Sequence, residues 1–355
     1  MNKSKAVNIR DIANEAGVSV ASVSRALQPV ASKKLAEKTR KHILEVCERM
    51  NYQPNELFRR MRRRRANTVA FIFPAQDTSV HGGYGHYMDF NMAASLSGAQ
   101  EFMATHEIDI LLLEATPAFI ASRRYLKMIR GQLLDGVIVW GITYNADYVA
   151  EILGENIPVV MLQTEDEKYN CSKVVSDEYK AMGELVNRVV KAGHRHIAVL
   201  NSPQTSSGGV QRTNGVNAAL QACSITPDYA SDRSGYDYQF GYEEAERIIT
   251  GASHITCIIC PCNAVAFGCV AALEKHGKRI PDDISVAGAG GMNLPGITYK
   301  LDSFLYPSRE IGRKGAEILL KHINGNLTPE KVVIPTIPFP GKTISNLTPQ
   351  FKENQ

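Results

Sequence analysis

Residues 9–27, IRDIANEAGVSVASVSRAL, decide how the N-terminal part of this chain is read. Ile12, Ala13 and Ala16 fall on one face of a short helix over 9–15, with Asn8 placed to cap it. Gly17 supplies a tight turn, and Ser19 is a good N-cap for a second helix over 20–27. Two short helices joined by Ala-Gly-Val-Ser have the spacing of a helix-turn-helix, whose second helix enters the major groove of DNA. Pro29 stops that helix. A third follows over 36–50, with Ile43, Leu44, Cys47 and Met50 expected to close a three-helix core.

Charge points the same way. Residues 1–66 carry 16 Lys/Arg against 6 Asp/Glu, a net of +10, whereas 67–355 carry 24 against 30, a net of −6. A small basic head on a larger acidic body is the distribution of a protein that attracts a polyanion at one end only. The head ends in FRRMRRRR, residues 58–65, six arginines in seven positions broken by Met61. Such a run is commonly a solvated tract, a disordered tail or a localisation tag. Here it is internal, between the basic segment and the first strand of the body, which sets it apart from a tail.

From Thr68 apolar runs alternate with helical stretches. Strands are expected at 69–73, 108–113, 136–140, 159–162, 197–200, 255–260 and 284–287, with helices such as 88–105, 178–192, 211–223 and 264–276 between them. Repeated β-α units imply parallel sheets with helices on both faces. Two such halves make a two-lobed α/β body like that of periplasmic binding proteins, with ligands held at the carboxyl ends of the strands, between the lobes. Apolar content of 44% and charged content of 21% describe an ordinary globular chain rather than a disordered one.

The N-terminus, MNKSKAVNIRDIANEAG, lacks the apolar core of a signal peptide, and no apolar stretch is long enough to span a membrane. A cytoplasmic location is therefore expected, and a secreted solute-binding protein is disfavoured. No P-loop, dinucleotide fingerprint or nucleophile–histidine pairing occurs among His81, His86, His194 and His196, so no enzyme and no cofactor are expected. SSGGV at 206–210 reads as a loop without a phosphate cradle. Cys257, Cys260 and Cys262 lie on an apolar strand and its exit, and are read as core thiols rather than metal ligands.

The segments IRDIANEAGVSVASVSRAL and EKTRKHILEVCERMNYQPN resemble the lactose-repressor (LacI/GalR) family of bacterial transcription factors, and the resemblance runs over nearly the whole chain. It implies a helix-turn-helix head (1–57), a hinge helix (58–67), a ligand-binding and dimerisation body (68–347) and a tail (348–355). Lobe one would be about 68–170 with 303–329, and lobe two about 171–302 with 330–347. Carried across by position, Val20 and Ala21 stand at base-reading positions and Arg25 at a major-groove arginine able to fork onto guanine O6 and N7. Ser19 and Ser22 serve as caps and phosphate contacts, which position without specifying. Asn8, Asn55, Arg59 and Arg62 complete the implied DNA-contacting set. Met61 takes the place of the family's minor-groove leucine, a wedge that kinks the duplex. Two departures are a loop about two residues longer after Arg25, which adds Lys33 and Lys34, and Ala36 where a serine usually caps the third helix.

Six like charges repel within a two-turn helix, so the hinge is expected to fold only on DNA, where phosphates remove the repulsion. Each neutralised phosphate adds about 0.9 to the slope of log affinity against log salt. Replacing Arg62 and Arg63 together by alanine should reduce that slope by more than about one unit in a salt titration of operator binding. A smaller change would count against phosphate contact by the pair.

In the body, KAGHRHIAVL and RTNGVNAAL match family motifs and place Arg212 at an effector-contacting arginine, suited to the oxygens of a sugar or an anion. Tyr236 stands at a stacking aromatic position, and Asp177 opens the helix before the GH motif. The usual NDxxA reads CNAVA, leaving Asn263 where an aspartate is common. The GYDD-like segment reads GAGGMN, with Gly290 in place of a sugar-binding aspartate. A loop about ten residues longer than usual, AQDTSVHGGYGHYMDF, offers Tyr84, Tyr87 and Phe90 to line a pocket. The expected function is a dimeric DNA-binding regulator, in the first instance a repressor on a near-palindromic operator, under a sugar- or glycoside-like effector. The lost carboxylates leave open an atypical, larger glycoside, no effector, or control by a phosphocarrier-type protein partner.

Overall fold

The computed structural model describes residues 7–27, 35–52, 65–75, 90–144, 146–252, 254–290 and 299–347. Asn55, Arg59, Met61 and Arg62 of the expected hinge region, and Tyr84 and Tyr87 of the long loop, lie outside these residues. The chain divides into two compact units, 1–66 and 67–355.

The head has three helices: α1 (Ile9–Glu15), α2 (Val20–Ala26) and α3 (Glu37–Arg49). Asn8 closes a capping box on α1. Its side chain accepts from the Arg10 and Asp11 amides at 2.9 and 3.3 Å, and the Asp11 carboxylate accepts from the Asn8 amide at 2.9 Å. Gly17, at φ +64°, makes the turn. Ile12, Ala13, Val23, Ala26, Ile43, Val46 and Cys47 form the buried centre. Leu44, expected in that core, is instead 38% exposed, and Val46 takes the place. The helical period explains the exchange: 43, 46 and 47 share a face, whereas 44 lies about 100° round from 43.

The body builds one six-stranded sheet and one four-stranded sheet, both parallel. Its elements run β1 (Thr68–Pro74), α4 (Phe90–Ala104), β2 (Asp109–Ala115), α5 (Pro117–Ala121), α6 (Arg124–Arg130), β3 (Gly136–Trp140), α7 (Asp147–Leu153), β4 (Val159–Leu162) and β5 (Ser172–Ser176). They continue with α8 (Glu178–Lys191), β6 (Ile197–Asn201), α9 (Ser207–Ala222), β7 (Tyr229–Ser234), α10 (Tyr238–Gly251), β8 (Cys257–Ile259), α11 (Asn263–Lys275) and β9 (Ser285–Ala287). The last are β10 (Ser303–Leu305), α12 (Ser308–Ile323), β11 (Lys331–Ile334) and β12 (Ile337–Phe339). The first sheet is ordered β11-β5-β4-β3-β1-β2 and the second β7-β6-β8-β9, with β10 and β12 paired antiparallel. β1 and β3 are apolar along their length and buried because helices cover both faces of the sheet.

The strand pairing moves the boundary between the lobes. Residues 172–176 and 331–334, assigned above to lobe two, form the edge of the first sheet, where Lys331 pairs with Lys173 and Val160 with Ser172. Ser-Lys-Val-Val-Ser reads as polar, yet every residue of it is buried. The Ser172 hydroxyl meets His322 at 2.7 Å, so its burial leaves no orphaned group. Residues 303–305, assigned to lobe one, pair with β12 instead. The chain thus crosses between lobes after β5, after β10 and after β11. Among the described residues, hydrogen bonds also span the cleft directly: the Tyr144 amide donates to Thr205 O at 2.7 Å, and the Glu165 amide to Ser207 Oγ at 2.8 Å.

Candidate functional site

The sequence nominated two sites, one on the head and one in the cleft. On α2, Ser19, Val20, Ala21 and Arg25 are exposed, while Val23 and Ala26 turn inward. Ser19 Oγ accepts from the Ser22 amide at 3.1 Å and lies 3.0 Å from Ser22 Oγ, so both serines serve the helix start. Val20, at 41% exposure, is an apolar side chain left in water at the first turn. Arg25 stands exposed in the last turn of the same helix. An exposed helix carrying a small apolar face and one forked cation has what base-edge recognition requires.

The cleft site is centred on Arg212, in α9. Its Nε donates to Glu178, and Nη1 donates to Pro261 O at 3.2 Å. The guanidinium lies 5.1 Å from the centroid of the Tyr236 ring and 5.6 Å from that of Tyr306. Tyr306 Oη donates to Glu178 at 3.4 Å. The Arg212 and Glu178 side chains are only 15% and 8% exposed. Burial works against the Arg212 charge, but Glu178 and the two tyrosines outweigh it and hold the guanidinium well above its ordinary range. Burial likewise raises both tyrosines, which keeps their hydroxyls protonated.

These groups come from elements that converge on the second sheet. Pro261 and Tyr236 follow β8 and β7, Arg212 sits in the helix after β6, and Glu178 and Tyr306 lie at two of the crossings. That is the carboxyl end of the strands, where open parallel sheets bind ligands.

The SSGGV segment, expected as a loop, is instead the start of α9, with Ser206 as N-cap accepting from the Gly209 amide at 3.3 Å. The glycines are there for space. A Cβ on Gly209 would stand 1.8 Å from Pro203 O and 2.9 Å from Tyr236 Oη. Gly290, at φ +80°, would put a Cβ 3.0 Å from the Tyr306 ring. The missing aspartate at this position therefore has a physical counterpart: Tyr306 occupies the space a side chain would need.

The other nominated residues stand elsewhere. Asp177 is the N-cap of α8, its carboxylate accepting from the Lys180 amide at 2.9 Å. Asn263 is buried and accepts from Ser303 Oγ at 3.2 Å, tying α11 to β10. Phe90, at the start of α4, is 49% exposed. Cys257 and Cys260 are buried core thiols that burial pushes up, and Cys262 donates from Sγ to Tyr236 O at 3.2 Å.

Glu178 and Tyr306 were not nominated. A signal for Glu178 was present, because it shares a helix face with Ala181, Met182, Leu185 and Val189, all buried. A carboxylate on an apolar stripe demands a cation, and Arg212 supplies it.

Comparison with known proteins finds relatives of both parts of the chain. The family described as "Bacterial regulatory proteins, lacI family" matches residues 8–55. "Periplasmic binding proteins and sugar binding domain of LacI family" matches residues 66–343. The chain is 27% identical over 337 residues to the probable HTH-type transcriptional repressor ExuR of Bacillus subtilis (strain 168), covering 94% of this chain and 96% of that protein. Among solved structures, the lac repressor dimer bound to operator and the anti-inducer ONPF superposes with a TM-score of 0.81 at 19% identity, over 96% of this chain and 100% of that one. The complex of the transcriptional regulator CelR with cellobiose gives 0.69 at 21%, over 95% and 99%.

Proposed function

This chain belongs to the lacI family of bacterial regulatory proteins, and on that premise we propose that it represses transcription as a homodimer under control of a neutral, polyhydroxylated effector. It is a DNA-binding transcriptional regulator. Two-fold dimers match the two half-sites of a near-palindromic operator, as in the operator-bound dimer of the lac repressor. Its place of action is the cytoplasm, with the DNA; no described helix is long and apolar enough to cross a membrane. Arg25 reads bases, Val20 and Ala21 make apolar base contacts, and Ser19, Ser22 and the capped start of α1 at Asn8 set position on the phosphates. Asn55, Arg59, Met61 and Arg62 complete the DNA-contacting set.

The observation that carries the effector reading is the Arg212–Glu178 pair. Arg212 is already compensated by a buried carboxylate, so an anionic ligand would meet no net positive charge and would face Glu178. A neutral sugar or glycoside meets no such opposition. The Tyr236 and Tyr306 rings, which flank the Arg212 guanidinium, would pack on its C–H groups, as suits a glycoside such as the cellobiose that CelR binds. Asp177 and Asn263 act through the frame they hold, and the sequence nominates Tyr84, Tyr87 and Phe90 as further effector contacts.

The test is thermal unfolding and operator binding with neutral glycosides beside uronates and sugar phosphates. Ligand that binds the folded state raises its apparent stability in proportion to log concentration. A shift with neutral sugars alone is expected, together with a change in operator affinity. A shift with anionic sugars alone would overturn the neutral-effector reading. Failure to prefer any DNA sequence over random duplex at moderate salt would overturn the regulator reading.

A further inference from the structure

At the end of the second sheet away from the cleft, three potential ligand groups face one another. His196 immediately precedes β6, Asp228 immediately precedes β7, and His254 stands three residues before β8. The cleft residues follow these same strands, so the two places are separated by the length of the sheet. His196 Nδ1 and His254 Nε2 each lie 3.3 Å from the same oxygen, Oδ1 of Asp228. The three ligand atoms all fall within 4.8 Å of one another, and the three residues are exposed. The imidazole rings stand at 84°, so both nitrogens face the carboxylate without stacking.

We propose that His196, Asp228 and His254 bind a divalent transition-metal ion of the zinc type, with its remaining coordination position open to solvent. Zinc takes imidazole nitrogen and carboxylate oxygen at about 2.0–2.2 Å in a tetrahedron, whose edges are then about 3.3–3.5 Å. Two of the three edges already have that length. Without an ion the two imidazoles meet the carboxylate in long hydrogen bonds of 3.3 Å, a spacing that a shared zinc ion could take over with little movement of the ligands.

The frame is firm. The Asp228 amide donates to Ile197 O at 3.0 Å, and Oδ2 accepts from the Ile197 amide at 3.2 Å. The His196 carbonyl accepts from the Thr256 amide at 2.9 Å and from Thr256 Oγ1 at 3.1 Å. Such outer contacts orient ligands and sustain affinity. Sequence spacing hides the site, because 32 residues separate His196 from Asp228 and 26 separate Asp228 from His254. A bound ion would join three loops that precede neighbouring strands of the second sheet, and so stabilise that lobe.

The experiment uses untagged full-length protein, stripped with EDTA and exchanged into chelator-free buffer. Calorimetric titration with Zn²⁺ should show one saturable site per chain, and Zn²⁺ should raise the unfolding midpoint with log concentration. Outer-shell changes alone cost about 10–100-fold in metal affinity, so H196Q/H254Q should lose at least that much. Both histidines are exposed, and the unloaded variant should unfold at the same midpoint as the unloaded parent. Co²⁺ in place of Zn²⁺ should give visible d–d bands without a near-ultraviolet thiolate band, which separates this site from a cysteine site. Equal Zn²⁺ affinity in parent and double variant, a thiolate band, or no saturable binding would each overturn the proposal.

Discussion

Replacing Arg25 by alanine should lower the preference for operator over random DNA by about five- to 150-fold, the equivalent of about 1–3 kcal/mol for one bidentate arginine–guanine contact. Arg25 is exposed on α2, while Val23 and Ala26 of that helix face the core, so the substitution leaves the head folded. Arg25→Lys separates base reading from charge. Lysine keeps the cation but not the planar fork, and should lose most of the discrimination while keeping the salt slope within about one unit. Competition gel-shift titrations at two salt concentrations measure both quantities. Should Arg25→Ala weaken specific and random DNA by the same factor, Arg25 is a phosphate contact and sequence is read elsewhere.

The head was legible because each of its signals is local. The Asn8 and Ser19 caps, the turn at Gly17 and the apolar faces around Ile12 and Ile43 lie within a few residues of what they determine. Leu44 was misplaced by a single helical step. In the body, apolar runs such as 136–140 and 159–162 are unambiguous because both faces of the sheet are covered. The strand at 172–176 was not legible: the buried Ser172 hydroxyl meets His322, 150 residues away in sequence, and the strand pairs with residues 331–334. The tyrosine at 306 and the carboxylate at 178 meet across 128 residues. Glu178 also had a partial local explanation, since an acidic residue in the first turn of a helix complements the helix dipole. That role accounts for its charge but not for its place on the buried stripe, and it masks the signal that calls for Arg212. The empty place at Gly290 was visible in the sequence, but the ring of Tyr306 that fills it was not.

Substituting Glu178 by glutamine tests that cleft most severely. It leaves Arg212 charged, with a side chain only 15% exposed and its principal counter-charge removed. Removing one partner of a buried ion pair costs about 3–5 kcal/mol, because the remaining charge is left uncompensated. For a body of this size that is a fall of roughly 10 °C in unfolding midpoint. The double variant Glu178→Gln with Arg212→Met should recover most of the loss, since removing both charges can be nearly neutral where removing one is not. The same single variant should also invert ligand preference. With Glu178 neutral, Arg212 becomes a cation without its carboxylate partner, and sugar acids should bind more tightly than they do to the parent. A midpoint within about 2 °C of the parent would show that Glu178 does not compensate Arg212 in solution. A normal fall with no gain in anion binding would show that the pair supports the fold without choosing the ligand. Only the two effects together make Glu178 the residue that sets the charge of the effector.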